Sequence, residues 1–412
     1  MKTTRKILII LFFCIGLLGI CPSAVSAAKT DHTLPSPILT LGINSPGENI
    51  TTIYWGFDTS DGYIYGVKHA QVEYSASAKF KDAKKVKVAN TASSYDLSHK
   101  KIKKFNGKLY VRVRELYVTN SGTEVYGPWS NSLCIELVKI SKKNFPGLYK
   151  TLKSGTYDTY VSQNGSDSTL KTFYYDRNQD GWLDADEISA IASLTVSDSI
   201  SNLKGIEHLT SLMGICLSKF TGTKADFSQN LNLSNITIER QDSQKLTVIS
   251  PTARHVSILG YYTPYDKPKE LDFSACDSVV DLTAYACQST LTTLKLPKEK
   301  SNLRILSIDK LKCNTLDLNA YKNLEQLYVY SSDLSSIKVK KCKELRYFYL
   351  FYCSTIKSVD LSANTKLRGA DFYHNDKLTV SNVKAPKKAK ITSNTGKWWY
   401  QTDSYKKDME RI

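Results

Sequence analysis

From Leu212 to Val380 the apolar positions repeat as L-x-x-L-x-L. The unit occurs as Leu303/Leu306/Ile308, Leu324/Leu327/Val329 and Leu345/Phe348/Leu350, with starts 21 residues apart, and as Leu367/Ala370/Phe372 22 residues later. Upstream, Val279/Leu282/Ala284, Val256/Leu259/Tyr261, Leu233/Ile236/Ile238 and Leu212/Ile215/Leu217 continue it at intervals of 21 to 24, eight units in all. A second apolar pair follows each unit: Ala225/Phe227, Leu246/Val248, Leu271/Phe273, Leu294/Leu296, Leu316/Leu318, Ile337/Val339, Val359/Leu361 and Leu378/Val380. No such unit can bury its apolar side alone, so neighbours must stack. The pattern predicts a solenoid over 200–382, each turn giving one strand to a parallel sheet and one return segment.

Residues 33–140 follow a different rhythm. Ile50–Trp55, Ala70–Tyr74, Lys85–Val88, Leu109–Val113 and Leu133–Val138 are β-rich, and turn residues (Asp61-Gly62, Asn106-Gly107, Asn120-Ser121-Gly122) separate them. Short strands at this spacing predict a β-sandwich. In Tyr110-Val111-Arg112-Val113-Arg114 one face is apolar and the other carries guanidinium groups.

Between the two lies Asp176-Arg-Asn178-Gln-Asp180-Gly181-Trp182-Leu183-Asp184-Ala-Asp-Glu187. It matches D-x-N-x-D-G-x-L-x-x-x-E, an EF-hand-like calcium loop. Calcium takes six to eight oxygens. The expected donors are the side chains of Asp176, Asn178 and Asp180, the Trp182 carbonyl, Asp184 directly or through water, and Glu187 with both oxygens. Gly181 allows the sharp turn, and Leu183 points inward. The loop is single, whereas sensors use pairs; a structural ion at a domain junction is expected, held weakly as in extracellular modules.

These motifs carry two resemblances. Trp55, the Tyr110–Arg114 strand and Tyr126-Gly-Pro-Trp129-Ser130 resemble a fibronectin type III domain, over about a quarter of the chain. The resemblance implies that Trp129 stacks with the arginine pair and that Trp55 is core. The repeat period is that of leucine-rich repeats, and residues 145–382 resemble exported bacterial leucine-rich repeat proteins of internalin-like architecture. Phe145-Pro146 starts a cap like theirs (145–199), the D-x-N-x-D-G-x-L loop follows, and Ile200-Ser-Asn-Leu203-Lys-Gly205-Ile206-Glu-His-Leu209 looks like their first repeat. Asp360-Leu-Ser-Ala-Asn364-Thr looks like their return segment; Cys342, Tyr321 and Cys276 replace the asparagine of Asn364 in other units and break any regular asparagine ladder. The fold class is thus multidomain: a fibronectin type III-like β-sandwich, a small helical cap, a leucine-rich repeat solenoid, and a C-terminal cap or tail at 383–412, where Trp398-Trp399 would cover the open end of the stack.

In L-x-x-L-x-L the intervening residues face solvent. The slot after the last inward residue reads Ser218, Glu239, Tyr262, Tyr285, Asp309, Tyr330, Phe351, Tyr373, and the slot two before it adds Tyr328 and Tyr349. With strands about 4.8 Å apart, the rings form a stripe. Exposed tyrosine suits interfaces, so Tyr262, Tyr285, Tyr328, Tyr330, Tyr349, Phe351 and Tyr373 are the expected ligand-binding residues. The alternative is a ladder that only stabilises the sheet.

Charge and composition narrow the function. The 412 residues carry a formal charge of +17, of which Lys2, Arg5 and Lys6 belong to an N-terminal leader. That leader, a basic start, an apolar Ile7–Ile20 and Val25-Ser-Ala27, reads as a signal peptide over 1–27; its apolar run is too short to span, and the bulky Ile20 argues against lipidation at Cys21. No second long apolar run occurs, so no transmembrane span is expected in the mature chain. Cys134, Cys216, Cys276, Cys287, Cys313, Cys342 and Cys353 remain after the leader, without CxxC spacing, and read as small buried hydrophobes. Lysines crowd one stretch (Lys81, Lys84, Lys85, Lys87, Lys100, Lys101, Lys103, Lys104, Lys108), either a solvated face or a patch for anionic wall polymer. Neither GxSxG, HExxH, a P-loop nor GxGxxG occurs, and six histidines lie scattered. The expectation is a secreted or cell-surface, monomeric, noncatalytic adhesion protein that recognises a protein or glycan ligand and no nucleic acid. The alternatives are retention on wall polymer or glycan, and an accessory part in a wall or glycan hydrolase system.

Overall fold

A computed structural model describes residues 36–42, 48–56, 69–89, 93–118, 123–163, 167–239, 241–260, 268–285 and 290–393. The expected leader, Tyr262, Cys287 and Trp398-Trp399 lie outside the described residues.

Ten strands form one parallel sheet, and they define the solenoid. In order they are Ser193–Ile200, Gly214–Phe220, Asn235–Ile238, His255–Ile258, Asp281–Ala284, Ile305–Asp309, Gln326–Tyr330, Tyr347–Phe351, Gly369–Tyr373 and Lys390–Ser393. Each pairs only with the turns before and after it, and the register places like on like: Leu282 beside Leu306, Leu306 beside Leu327, Leu327 beside Phe348. Inward positions fill one continuous core in which Leu282, Leu306, Leu327 and Leu350 have no exposed surface. The return segments also pair, as strands Lys224–Asp226, Lys245–Ile249, Glu270–Ala275 and Thr293–Lys295 in one parallel sheet, then as two separate pairs, Lys312–Asp317 with Asp333–Lys338 and Val359–Asp360 with Val383–Lys384.

Three details depart from expectation. The solenoid gains a strand at each end, Ser193–Ile200 and Lys390–Ser393. In the fourth turn the inward residues are Ala253, Val256 and Ile258, all buried, with Ile236 beside Val256 and Ile238 beside Ile258. The triplet Val256/Leu259/Tyr261 is therefore three residues out of register, because alanine hides a core position while the following leucine and tyrosine imitate the pattern. Val380, expected inside, is 48% exposed.

The asparagine slot is broken in residue type but kept in hydrogen bonding. Asn230 Nδ2 donates to the carbonyls of Ile206 (2.8 Å) and Leu209 (3.0 Å), and Asn364 Nδ2 to those of Val339 and Cys342 (both 2.8 Å). Between them, Cys276 Sγ donates to the Val248 carbonyl (3.3 Å), Tyr321 Oη to Pro297 (3.1 Å) and Cys342 Sγ to Leu318 (3.2 Å). Each side chain satisfies a carbonyl that the preceding turn would otherwise bury unpaired. Burial pushes the thiols of Cys276 and Cys342 up to about 12, so they act as neutral donors.

The cap segment holds two short helices, Tyr149–Ser154 and Ala185–Ala190, and, where only a helical cap was expected, an antiparallel ribbon of Thr156–Gln163 with Asp167–Tyr174. Upstream, Ile38–Leu41, Ile50–Gly56 and Ser94–Ser98 make one antiparallel sheet; Lys84–Ala89, His69–Ser75, Lys108–Val118 and Glu124–Trp129 make another, with Leu133–Glu136 also on Lys108–Val118. Both contribute to one buried cluster, in which Trp55 and Ile53 of the first meet Val72, Val111 and Val113 of the second. On the opposite face Arg112 and Arg114 each lie 4.3 Å from the Trp129 ring.

Along Lys108–Val118 the register against Glu124–Trp129 shifts between Arg114 and Leu116, and both Glu115 and Leu116 are buried. Neither carboxylate oxygen of Glu115 has a hydrogen-bond partner among the described residues, and burial pushes its pKa up to about 7. The folded chain thus binds this proton more tightly than the unfolded one. The stabilisation is complete below about pH 4.5, the ordinary glutamate range, and is lost as pH rises through 7. Glu115→Gln is expected to leave stability unchanged at pH 4 and to raise it by about 2–3 kcal/mol at pH 8, read by urea unfolding at the two pH values.

Candidate functional site

Parallel, in-register stacking brings equivalent side chains of successive turns over one another at the strand spacing. On the outward face of the later turns this concentrates aromatic rings. Tyr328 and Tyr349 stack with centroids 4.6 Å apart and planes 3° apart; Tyr330 and Phe351 stack at 5.3 Å; Tyr285 meets Tyr330 edge-on at 5.9 Å, and Tyr373 meets Phe351 edge-on at 6.5 Å. Offset and edge-on pairs of this kind stabilise by about 0.5–1.5 kcal/mol each.

The structure divides the expected stripe. Tyr285, Tyr328, Tyr330 and Tyr373 are half-buried. Tyr349 (4% exposed) and Phe351 (3%) are not solvent-facing as expected; they form a separate apolar cluster with Tyr347 on the face away from the solenoid core. Alternation alone sets which face a residue is on, and says nothing of what lies over that face. Tyr262 falls outside the described residues, and the corrected register gives its slot to Leu259.

Sequence reasoning missed the corner that follows each late strand. Lys310, Ser331, Tyr352 and His374 occupy equivalent positions in four consecutive turns, and all have positive φ, between 44° and 58°. Lys310 and Ser331 are half-buried there, and Tyr352 and His374 are exposed. Tyr352 is 50% exposed, stacks on the exposed His374 at 4.8 Å, and contacts Tyr373 edge-on at 6.1 Å. Half-buried Tyr330 and Tyr373 with exposed Tyr352 and His374 make an aromatic rim at the C-terminal ends of these strands. The signal available in sequence was the 21- and 22-residue spacing of these four positions.

The loop at 176–187 has the turn its sequence demands. Gly181 has φ +80°, Leu183 is fully buried, and Asp184 and Glu187 form a reciprocal capping box on the helix Ala185–Ala190. Its carboxylates are engaged by the loop's own amides. Asp176 accepts from the amides of Asp180 (3.1 Å) and Gly181 (2.9 Å), Asn178 Oδ1 from Asp180 (3.0 Å), and Glu187 from Arg177 (2.8 Å), Asn178 (3.3 Å) and Asp184 (3.0 Å). Asp180 Oδ1 accepts the Trp182 amide, while its other oxygen takes the Lys103 ammonium at 2.5 Å. Buried His99 lies 4.0 Å from Asp180 and 3.9 Å from Asp184, and burial lowers its pKa. Burial raises that of Asp176 and pushes Glu187 up to about 8. Among the described residues no group of three or more His, Cys, Asp or Glu side chains is gathered closely enough to hold an ion.

What the loop does hold is the junction. Trp182 and Leu183 pair with Lys139 and Val138, Trp182 packs on the N-terminal cluster and Leu183 belongs to the solenoid core. Gly107 (φ +79°) lies beneath the indole, where a Cβ would come within 2.6 Å of the ring. Several crowded lysines are engaged rather than free: Lys103 here, Lys87 with Glu124 (2.7 Å), Lys85 with Glu73 (3.8 Å) and Lys101 with the Tyr95 hydroxyl (3.0 Å).

No protein-family model matches the chain, and no curated protein matches it. Among solved structures, it is similar to the functional domain of InlJ from Listeria monocytogenes, described as including a cysteine ladder, at 19% identity over 62% of this chain and 63% of that one, with a TM-score of 0.27. The match therefore spans less than two thirds of that domain. It is also similar to the pectate lyase PelI of Erwinia chrysanthemi (10% identity, 88% of this chain and 92% of that one, TM-score 0.17) and to Pel3 of Pectobacterium carotovorum (10%, 89% and 96%, 0.18). At these scores the matches assign neither family nor activity; the β-solenoid rests on the chain's own strand order. Among the described residues no helix is long and apolar enough to cross a membrane.

The two aromatic groups are expected to differ in cost. Phe351→Ala should destabilise the solenoid by about 3 kcal/mol, as for a buried ring, and Tyr352→Ala by under about 1 kcal/mol. Equal losses in urea unfolding would remove the distinction between cluster and rim.

Proposed function

We propose that the protein is an exported, noncatalytic binding protein of the internalin-like architectural kind. A fibronectin type III-like sandwich leads, through the loop clasp, into a solenoid whose aromatic rim recognises a protein or glycan on a cell surface. The observation that carries this reading is the rim itself: Tyr352, Tyr373 and His374 in mutual ring contact, with Tyr330 joined to Tyr373 through Phe351, at the ends of strands held in register. Tyrosine there offers large contact area at low entropic cost, and a rigid support lowers the ordering cost of binding.

The test is an array of glycans and surface proteins probed with residues 28–412, followed by titration of the best ligand. Tyr352→Ala with Tyr373→Ala is expected to weaken binding at least tenfold, about 1.4 kcal/mol, with an unchanged far-UV spectrum and little change on raising salt. Unchanged affinity overturns the rim as the site. A steep fall with ionic strength overturns it in favour of the lysine-rich surfaces holding an anionic polymer.

Calcium in the 176–187 loop is proposed on the donor sequence, with Asp176, Asn178, Asp180, Trp182, Asp184 and Glu187 as its ligands. An ion there competes with the Lys103 ammonium for Asp180. Lys103→Met should therefore tighten calcium binding at least tenfold over the unaltered chain in calorimetric titration; equal affinities, or no binding by either, would discard the ion.

A further inference from the structure

The return segments do not form one continuous sheet. Four of them pair in series up to Thr293–Lys295, and Lys312–Asp317 pairs with Asp333–Lys338, but among the described residues no ladder joins Thr293–Lys295 to Lys312–Asp317. The split falls where the connection shortens: Lys312–Asp317 begins almost at once after Ile305–Asp309, whereas Thr293–Lys295 follows Asp281–Ala284 after a longer stretch. The two returns meet at a single parallel bridge, Leu291 with Leu311. There the Leu291 amide donates to the Lys310 carbonyl and the Lys312 amide to that of Leu291, both at 2.8 Å. At the far end the Tyr321 hydroxyl donates to the Pro297 carbonyl at 3.1 Å. Between these two ties lies a cleft of about 410 Å³, lined by Leu294, Leu296, Cys313, Leu316, Asp317 and Tyr321 among others.

The cleft leaves leucine and backbone open. In the returns that another return follows in the sheet, Leu246, Val248, Leu271 and Phe273 have no exposed surface. Leu294, which stands beside Leu271 in register, and Leu296 are only half-buried. The Thr293 amide donates to the Lys269 carbonyl at 3.0 Å. In a parallel ladder alternate residues bond to opposite neighbours, so the amide and carbonyl of Leu294 face the cleft.

We propose that this cleft takes a short extended peptide of a partner protein. The peptide pairs with the open edge of Thr293–Lys295, sets an aliphatic side chain against Leu294, Leu296 and Leu316, and places a lysine or arginine at Asp317. An open strand edge is a template for a further strand, and main-chain pairing with a side-chain pocket is how such peptides are held. From Thr292 to Leu296 the edge runs about 17 Å, the length of about five extended residues. A small apolar molecule would cover the leucines and leave the Leu294 amide and carbonyl without partners. Charge selects the peptide further. Asp317 is exposed, its Oδ1 accepts the Asn319 amide at 3.0 Å, and among the described residues no cation pairs with it. Lys295, on the open strand, is already held by Asp272 at 3.0 Å. This inference is independent of the rim, which lies on later turns at the ends of long-sheet strands.

A phage-displayed library of random octapeptides, selected on the immobilised full chain, tests it. Enriched sequences are expected to carry an aliphatic residue with a lysine or arginine within two places, and synthetic peptides of those sequences to bind in fluorescence anisotropy. Thr315→Trp, which fills the cleft from an exposed position, should weaken binding at least tenfold with the urea midpoint unchanged. Asp317→Lys, and N-methylation of two consecutive peptide amides, should each do the same. An absence of enrichment overturns the proposal, as does binding that Thr315→Trp leaves intact. Full binding by the N-methylated peptide overturns the strand pairing, and loss of binding in Tyr352→Ala moves the peptide to the rim. A concentration-dependent dimer that Thr315→Trp dissociates in light scattering gives the cleft to a second copy instead. Should Thr315→Trp shift the urea midpoint, Asp317→Lys and the N-methylated peptide decide.

Discussion

Everything beyond Ser193 depends on one constraint: the backbone of each turn hydrogen-bonds to that of the next, and after the first pair of strands the long sheet does so without a change of register. Once that holds, a residue's place within its own turn dictates which residues it touches in the two adjacent turns. Leucine falls on leucine inside, where the stacked column excludes water. Tyrosine falls on tyrosine outside, where the spacing of strands is close to that of stacked rings. The core and the aromatic surface are two products of the same repeat.

The constraint explains how the asparagine slot tolerates cysteine and tyrosine. A buried carbonyl of the preceding turn requires a donor, and the register brings the same position to it each time. An amide, a thiol or a phenol each supplies one, at 2.8 to 3.3 Å. Thiols used this way gain nothing from ionising. In this part of the molecule cysteine is neither a hydrophobe alone nor a nucleophile in waiting.

Much of this was legible in the sequence. The period gave the turn and, in most units, the inward residues, because leucine at three fixed places is hard to produce by chance. It failed where chemistry was ambiguous. Ala253 is a core residue too small to announce itself, so the unit slid to Leu259 and Tyr261. Lys390–Ser393 has a single apolar residue, Ile391, and could not be distinguished from a tail. The loop motif located the junction between the two units but not its closure by Lys103, since a contact between residues 77 apart in sequence leaves no local trace. For the aromatic face, the burial of Tyr349 and Phe351 left no trace in the sequence, because alternation sets the side of the sheet a residue is on and not its exposure.

The left-handed corner at Lys310, Ser331, Tyr352 and His374 has a consequence for how such a molecule changes over time. The backbone conformation there is imposed by the coil, whatever the side chain, as four chemically unrelated residues in a row demonstrate. None of the four is buried: Lys310 and Ser331 are half-buried, and Tyr352 and His374 are exposed. A mutation at that place alters the surface chemistry without touching the column behind it, so the exterior can be rewritten one coil at a time on an unchanged spine.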